Sequence, residues 1–189
     1  HRFWQQLQDQ PVEFIWQSED HISLVAILRV GPTQHVIQGL HQSLFRAEKR
    51  IGLILFGKGN IGSRWLELFA REQETLSART GFEYVLAGVA DSRRSLLSYD
   101  GLDASRALAF FDDEAQERDE ESLFLWMCEH PFDDLVVLDV TASESLAQQY
   151  HDFASHGFHV ISANKVAGAS GSAQWRQIRD AFAKTGRHW

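Results

Sequence analysis

The hexamer Gly57-Lys58-Gly59-Asn60-Ile61-Gly62 constrains this chain more than any other feature. Alone, a G-x-G-x-x-G run is weak evidence, because glycine-rich hexamers occur in many unrelated turns. Here an apolar run, residues 51–56, leads straight into it and reads as a strand buried on both faces. Ile61, Trp65, Leu66 and Phe69 then fall on one helical stripe. Strand, glycine turn and helix in that order is the arrangement a phosphate loop requires. Gly57 permits the tight turn, Gly59 lets the backbone approach a pyrophosphate, and Gly62 lets helix and strand pack closely. The helix N-terminus supplies free N–H groups and a partial positive charge to the anion. The competing reading is a strand-to-helix turn that binds nothing.

From residue 51 onward, strand and helix patterns alternate. Strands are expected over residues 84–89, 135–140 and 158–161. Helices are marked by Leu123, Phe124 and Met127, by Leu146, Tyr150 and Phe153, and by Trp175, Ile178 and Phe182. Alternation of this kind predicts an α/β fold, a Rossmann-like doubly wound parallel sheet with right-handed crossovers. The first 50 residues read differently, as a small α+β piece. Val12, Phe14 and Trp16 alternate with polar residues, residues 22–28 form a largely apolar strand candidate, and Gly31-Pro32-Thr33 opens a helical pattern through Leu44. Residues 46–50 are charged and read as the linker between the two parts.

Asp91 follows the second strand, where an acidic side chain commonly binds the adenosine ribose hydroxyls. It lies further from the glycines than the usual spacing of about 20 residues, and the polar stretch 71–81 reads as an insert that accounts for this. Arg93 and Arg94 come next, and an arginine pair there suits a 2′-phosphate. Asp91 opposes that phosphate unless it turns away. The residues therefore favour NADP while leaving NAD possible. Thr141, Ala142 and Ser143 follow the third strand, and Ser162 to Lys165 the fourth. Both sets lie at strand carboxyl ends, the side on which open α/β sheets bind ligands. Small and hydroxyl side chains there leave room for a nicotinamide ribose, and Lys165 could meet the cofactor or a substrate carbonyl or carboxylate.

Other features narrow the function classes. A formal net charge of −8 argues against a nucleic-acid surface. The sequence shows neither a signal peptide nor an apolar run near the roughly 20 residues that span a membrane. A single cysteine, Cys128, fits a reducing, cytoplasmic compartment. It lies in a helical pattern far from a strand end, so packing is the expected role rather than nucleophilic attack. The acidic run over residues 112–121 reads as a solvated loop and helix start. The nine histidines show no clear metal-ligand spacing, and no metal site is expected.

Four segments in order, residues 51–63, Val89-Ala-Asp-Ser-Arg-Arg94, Asp139-Val-Thr-Ala-Ser143 and Ser162-Ala-Asn-Lys165, resemble homoserine dehydrogenase. Within it, the chain looks like the bifunctional aspartokinase/homoserine dehydrogenases of enteric bacteria in their methionine-associated form. The resemblance implies that residues 1–49 are the end of an ACT-like regulatory region with its linker, and residues 50–189 the NAD(P)-binding domain. It implies reduction of aspartate 4-semialdehyde to homoserine with NADPH, or less often NADH, by a full-length protein expected to be a homo-oligomer. Gly59, Asn60 and Ile61 would lie against the pyrophosphate and Arg93 near the adenosine phosphate. Thr141, Ala142 and Lys165 would line the nicotinamide side. The family's substrate-binding acids, catalytic lysine and monovalent-metal loop are expected beyond Trp189, so this chain is expected to bind cofactor without turnover. An aspartate-semialdehyde dehydrogenase would need a strand-end cysteine nucleophile, which Cys128 does not supply. A non-enzymatic dinucleotide sensor is the alternative.

Overall fold

The computed structural model describes residues 11–17, 24–29, 49–169 and 171–189. The chain divides into two compact units, His1–Ala47 and Glu48–Trp189. In the first, β1 (Val12–Gln17) pairs antiparallel with β2 (Leu24–Leu28). Phe14 faces Ile27 and Trp16 faces Val25 across the pair, and all four side chains are exposed. The helix expected from Gly31 onward lies outside the described residues.

The second unit is built on β3 (Lys49–Phe56), which runs parallel to β4 (Phe82–Ala90) on one side and β7 (Asp134–Asp139) on the other. β8 (His159–Ser162) extends the parallel sheet beyond β7. Beyond β4 lie two antiparallel strands, β5 (Arg94–Leu97) and β6 (Gln116–Glu117), giving the order β6-β5-β4-β3-β7-β8. Side chains alternate across a strand, so β3 feeds two cores. Leu53 and Leu55 pack with Leu66 and Phe69 of α1 (Asn60–Thr80) and with Phe111 of α2 (Ala107–Glu114). Ile54 and Phe56 pack with Leu123 and Met127 of α3 (Glu120–Cys128) in the opposite core. That core also takes in Tyr150 and Phe153 of α5 (Tyr150–Ser155) and Ile178 and Phe182 of α7 (Ser172–Thr185). Helices therefore cover both faces, as in a doubly wound sheet. Two short helices, α4 (Glu144–Gln148) and α6 (Lys165–Ala169), follow β7 and β8.

Several local expectations are corrected. Lys49 and Arg50 are not linker but the first residues of β3, held by a Lys49–Asp134 ion pair and by the Arg50 N–H donating to Asp133 (2.8 Å). Residues 71–80 are not an inserted loop. They continue α1 to 21 residues, their polarity being that of a largely exposed face, until Gly81 closes the helix in the left-handed region (φ +70°). Arg94, read from the sequence only as a phosphate contact, begins an antiparallel strand, β5, whose short, polar partner β6 carries almost no pattern. The single helix expected after Ser143 is two, with Gln149 between them. Cys128 is exposed rather than packed, and partial desolvation of its thiol, with the nearby charge of Glu129, raises its pKa, which disfavours a thiolate.

Candidate dinucleotide site

In this sheet β4 lies on one side of β3 and β7 on the other, so the crevice opens where the strand order reverses, beyond the carboxyl end of β3. The phosphate loop occupies that point. Gly57 has φ +103° and donates its N–H to the Ala90 carbonyl of β4 (2.8 Å). A Cβ on Gly62 would sit 1.9 Å from the Gly57 carbonyl oxygen, so only glycine lets α1 start this close to the strand. At Gly59 the same test meets nothing within 4 Å, and Asn60 and Ile61 are exposed beside it. The loop is closed against the protein at Gly62 and open outward at Gly59, the distribution a bound pyrophosphate needs. Ile61, placed on the buried stripe by its spacing, is 58% exposed at this helix start.

A cleft of about 340 Å³ adjoins the loop, lined in part by Phe56, Asp91, Arg118, Thr141, Ala142 and Leu146. It thus brings together four of the residues singled out in the sequence: Asp91, Thr141, Ala142 and Ser143. Asp91 turns its carboxylate onto its own loop, Oδ1 accepting from the N–H groups of Arg93 and Arg94 (both 2.8 Å). Burial pushes the Asp91 pKa up, but these two N–H groups and the charges of Lys58 and Arg94 outweigh it and hold the carboxyl below its usual range. The two arginines part company. Arg93 is exposed, whereas the Arg94 guanidinium donates to the Asp112 carbonyl (3.3 Å) and lies 5.0 Å from the Phe111 ring.

Arg118, which the sequence did not single out, is the cleft's principal cation. Its side chain is 10% exposed, lies 5.2 Å from the Phe56 ring, donates to the Asp91 carbonyl (2.7 Å) and pairs with Glu120 (2.7 Å). Among the described residues its Nε is buried with no hydrogen-bond partner. A buried polar group is normally paired, and this unsatisfied one belongs to a residue that lines the cleft. Arg118 arrives here because its N–H donates to the Arg93 carbonyl (2.7 Å), continuing the β5–β6 pairing. The only sequence signal was a basic residue inside an acidic run.

On the other side of the crevice the loops after β7 and β8 share one anchor. Asp139 is fully buried. Its Oδ1 accepts from the Thr141 N–H (2.8 Å) and hydroxyl (2.7 Å), and its Oδ2 from the Tyr150 hydroxyl (2.7 Å) and Asn164 Nδ2 (3.0 Å). Asn164 also donates to the Ser143 carbonyl (2.8 Å), and Ser162 Oγ lies 2.7 Å from the Tyr150 oxygen. Burial is the largest cause pushing the Tyr150 pKa far up, and the Asp139 carboxylate adds to it. The hydroxyl therefore stays protonated and keeps donating. An acid closing an apolar strand must find such partners, and that was the signal in the sequence. Ser162 thus braces the two loops, and Lys165 stands exposed at the start of α6. The structure does not gather Arg93, Arg94, Ser162 or Lys165 into the cleft lining, and the loop residues Gly57, Gly59, Asn60, Ile61 and Gly62 lie beside it rather than in it.

The family model described as "Homoserine dehydrogenase, NAD binding domain" matches residues 57–189. The chain belongs to this family. It is 83% identical over 189 residues to bifunctional aspartokinase/homoserine dehydrogenase 2 of Escherichia coli (strain K12), covering all of this chain and 23% of that protein. It is 28% identical over 173 residues to the bifunctional enzyme of Buchnera aphidicola, covering 92% of this chain and 21% of that one. The chain thus spans a quarter or less of the length of these curated relatives. A homoserine dehydrogenase from Thermoplasma acidophilum superposes with a TM-score of 0.54 at 24% identity, over 74% of this chain and 42% of that one. A hyperthermophilic archaeal homoserine dehydrogenase in complex with NADPH gives 0.58 at 14% identity, over the same shares. These likenesses establish the fold, a Rossmann-like NAD-binding domain.

Proposed function

We propose that the crevice holds NADP in preference to NAD, and that the parent protein interconverts aspartate 4-semialdehyde and homoserine. One observation carries the dinucleotide reading. The loop is sealed at Gly62 and open at Gly59, beside a cleft with an unpaired buried donor on Arg118. These residues fit a dinucleotide. Gly57, Gly59, Asn60, Ile61 and Gly62 would hold the pyrophosphate on backbone N–H groups at the start of α1. Asp91, Arg93, Arg94 and the added Arg118 would meet the adenosine ribose. Asp91 already spends Oδ1 on its own backbone, which blunts its opposition to a phosphate and supports NADP. Thr141 and Ala142 would line the nicotinamide side, with Ser162 and Lys165 behind them. The NADPH bound by the archaeal neighbour supports the same choice.

When bound, the nicotinamide supplies the hydride chemistry. The chain's own part is to orient that ring through loops fixed on Asp139. We further propose that residues 1–49 belong to an ACT-like regulatory region and residues 50–189 to the cofactor domain of a cytoplasmic homo-oligomer.

Calorimetric titration of the chain with NADP and with NAD tests the reading, alongside Arg93→Ala/Arg94→Ala. NADP should bind more tightly than NAD, and the double variant should lose that margin. Absence of binding by either dinucleotide overturns the site. An unchanged margin in the double variant overturns the phosphate assignment alone.

A further inference from the structure

Lys58 belongs to the phosphate loop and Arg94 to the strand that follows Asp91, yet both serve a carboxylate from elsewhere. Lys58 Nζ donates to Asp112 Oδ1 (2.8 Å), and the Arg94 guanidinium approaches the same oxygen (3.6 Å). The two cations also share the ring of Phe111, the residue before Asp112. Lys58 lies 4.6 Å and Arg94 5.0 Å from its centroid. Phe111 is fully buried, so the cations are anchored on a fixed platform while the carboxylate is 65% exposed. Both cations act on Asp91 as well, which places the cluster at the corner where Rossmann folds hold the adenosine ribose.

The carboxylate's position is unfavourable for its own helix. Asp112, Asp113 and Glu114 end α2, which has no basic residue in its last turn. Negative charge at a helix C-terminus opposes the helix dipole. Lys58 and Arg94 offset that cost at Asp112.

We propose that Asp112 is an internal counter-anion of the ribose corner, displaced by the 2′-phosphate of NADP, and that it thereby sets the preference between NADP and NAD. This rests on the dinucleotide reading above. With Asp112 in place, Lys58 is ion-paired and the charge of Arg94 is partly offset without a ligand. A 2′-phosphate must take them from the carboxylate and lie beside it. NAD carries no charge there and is indifferent to Asp112. The residue thus lowers NADP affinity selectively and prevents the corner from binding stray anions.

The test is calorimetric titration of the full chain with NADP, NAD, adenosine 2′,5′-bisphosphate and 5′-AMP. It compares wild type with Asp112→Asn, alone and combined with Lys58→Met. Asp112→Asn should tighten NADP and the bisphosphate about three- to fivefold, the scale of one exposed ion pair. NAD and 5′-AMP should be unmoved, and Lys58→Met should abolish the gain. In the wild type, the Asp112 carboxyl, which the Lys58 ammonium and Arg94 hold below its usual range, should titrate higher by NMR once the bisphosphate is bound. An unchanged NADP-to-NAD ratio, a gain that survives Lys58→Met, or an unmoved Asp112 titration overturns the proposal. If wild type binds none of the four ligands, the dinucleotide reading falls first. If all bind and only the ratio stays fixed, that reading stands and the role of Asp112 alone is lost.

Discussion

Asp139 and Asp112 both hold parts of the crevice together, one fully buried and the other with a 65% exposed side chain. Asp139 fixes two loops through hydrogen bonds from Thr141, Tyr150 and Asn164, shielded from water and from salt. Asp112 holds Lys58 and Arg94 by charge, where solvent competes and a stronger anion can take its place. Geometry that orients a reacting ring is thus built from buried hydrogen bonds. Affinity for a charged group is built from exposed ion pairs. Removing one partner of a buried bond strands the others, whereas removing an exposed partner frees the others for a ligand.

The comparison breaks most readily at Asp139. Asp139→Ala leaves the Tyr150 hydroxyl, the Asn164 amide and two Thr141 donors without their acceptor, and should cost about 3 kcal/mol or more of stability in urea unfolding. A loss below about 1 kcal/mol would show that the loops after β7 and β8 do not depend on this anchor. Tyr150→Phe removes the hydroxyl's contacts with Asp139 and Ser162 and should cost about 2 kcal/mol. It also sharpens the contrast through pH. The folded-state pKa of Tyr150 is raised, so its contribution is present below the ordinary tyrosine pKa of 10.0 and is lost as pH rises beyond it. Wild type should therefore lose stability above pH 10 more steeply than Tyr150→Phe.

Asp91 predicts a smaller effect of opposite sense. Its folded-state pKa is lowered, so its contribution is present above the ordinary aspartate value of 3.8 and is lost as pH falls below it. Asp91→Asn should flatten that acid limb slightly, and an unchanged limb would show that the β4–β5 turn does not rely on the carboxylate. The smallest effect is expected at Asp112. Asp112→Asn should leave the unfolding midpoint within replicate scatter while changing NADP affinity. A marked loss of stability there would make Asp112 structural, like Asp139.

The strands with strong apolar patterns, β3, β4 and β7, were readable because burial on both faces forces continuous apolar runs. β5 and β6 were not, since short, polar, half-covered strands carry little pattern and depend on their neighbours for definition. The site divides likewise. Gly57, Gly59 and Gly62 were legible because close backbone approach excludes every other residue type. Arg118 was not, because it reaches Asp91 across 27 residues through a strand pairing that no local signal announces.

The sequence by itself determined the alternating parallel sheet, the phosphate loop at its centre, and the family those segments resemble. Periodicity and glycine are local properties, and a chain displays them before it folds. Only the tertiary structure decided which charges meet. It sent Arg94 to Asp112, brought Arg118 into the cleft, and gathered Tyr150 and Asn164 on Asp139. Ion pairs and buried hydrogen bonds depend on distances of about 3 Å between residues far apart in the chain, and those distances exist only once the sheet has assembled.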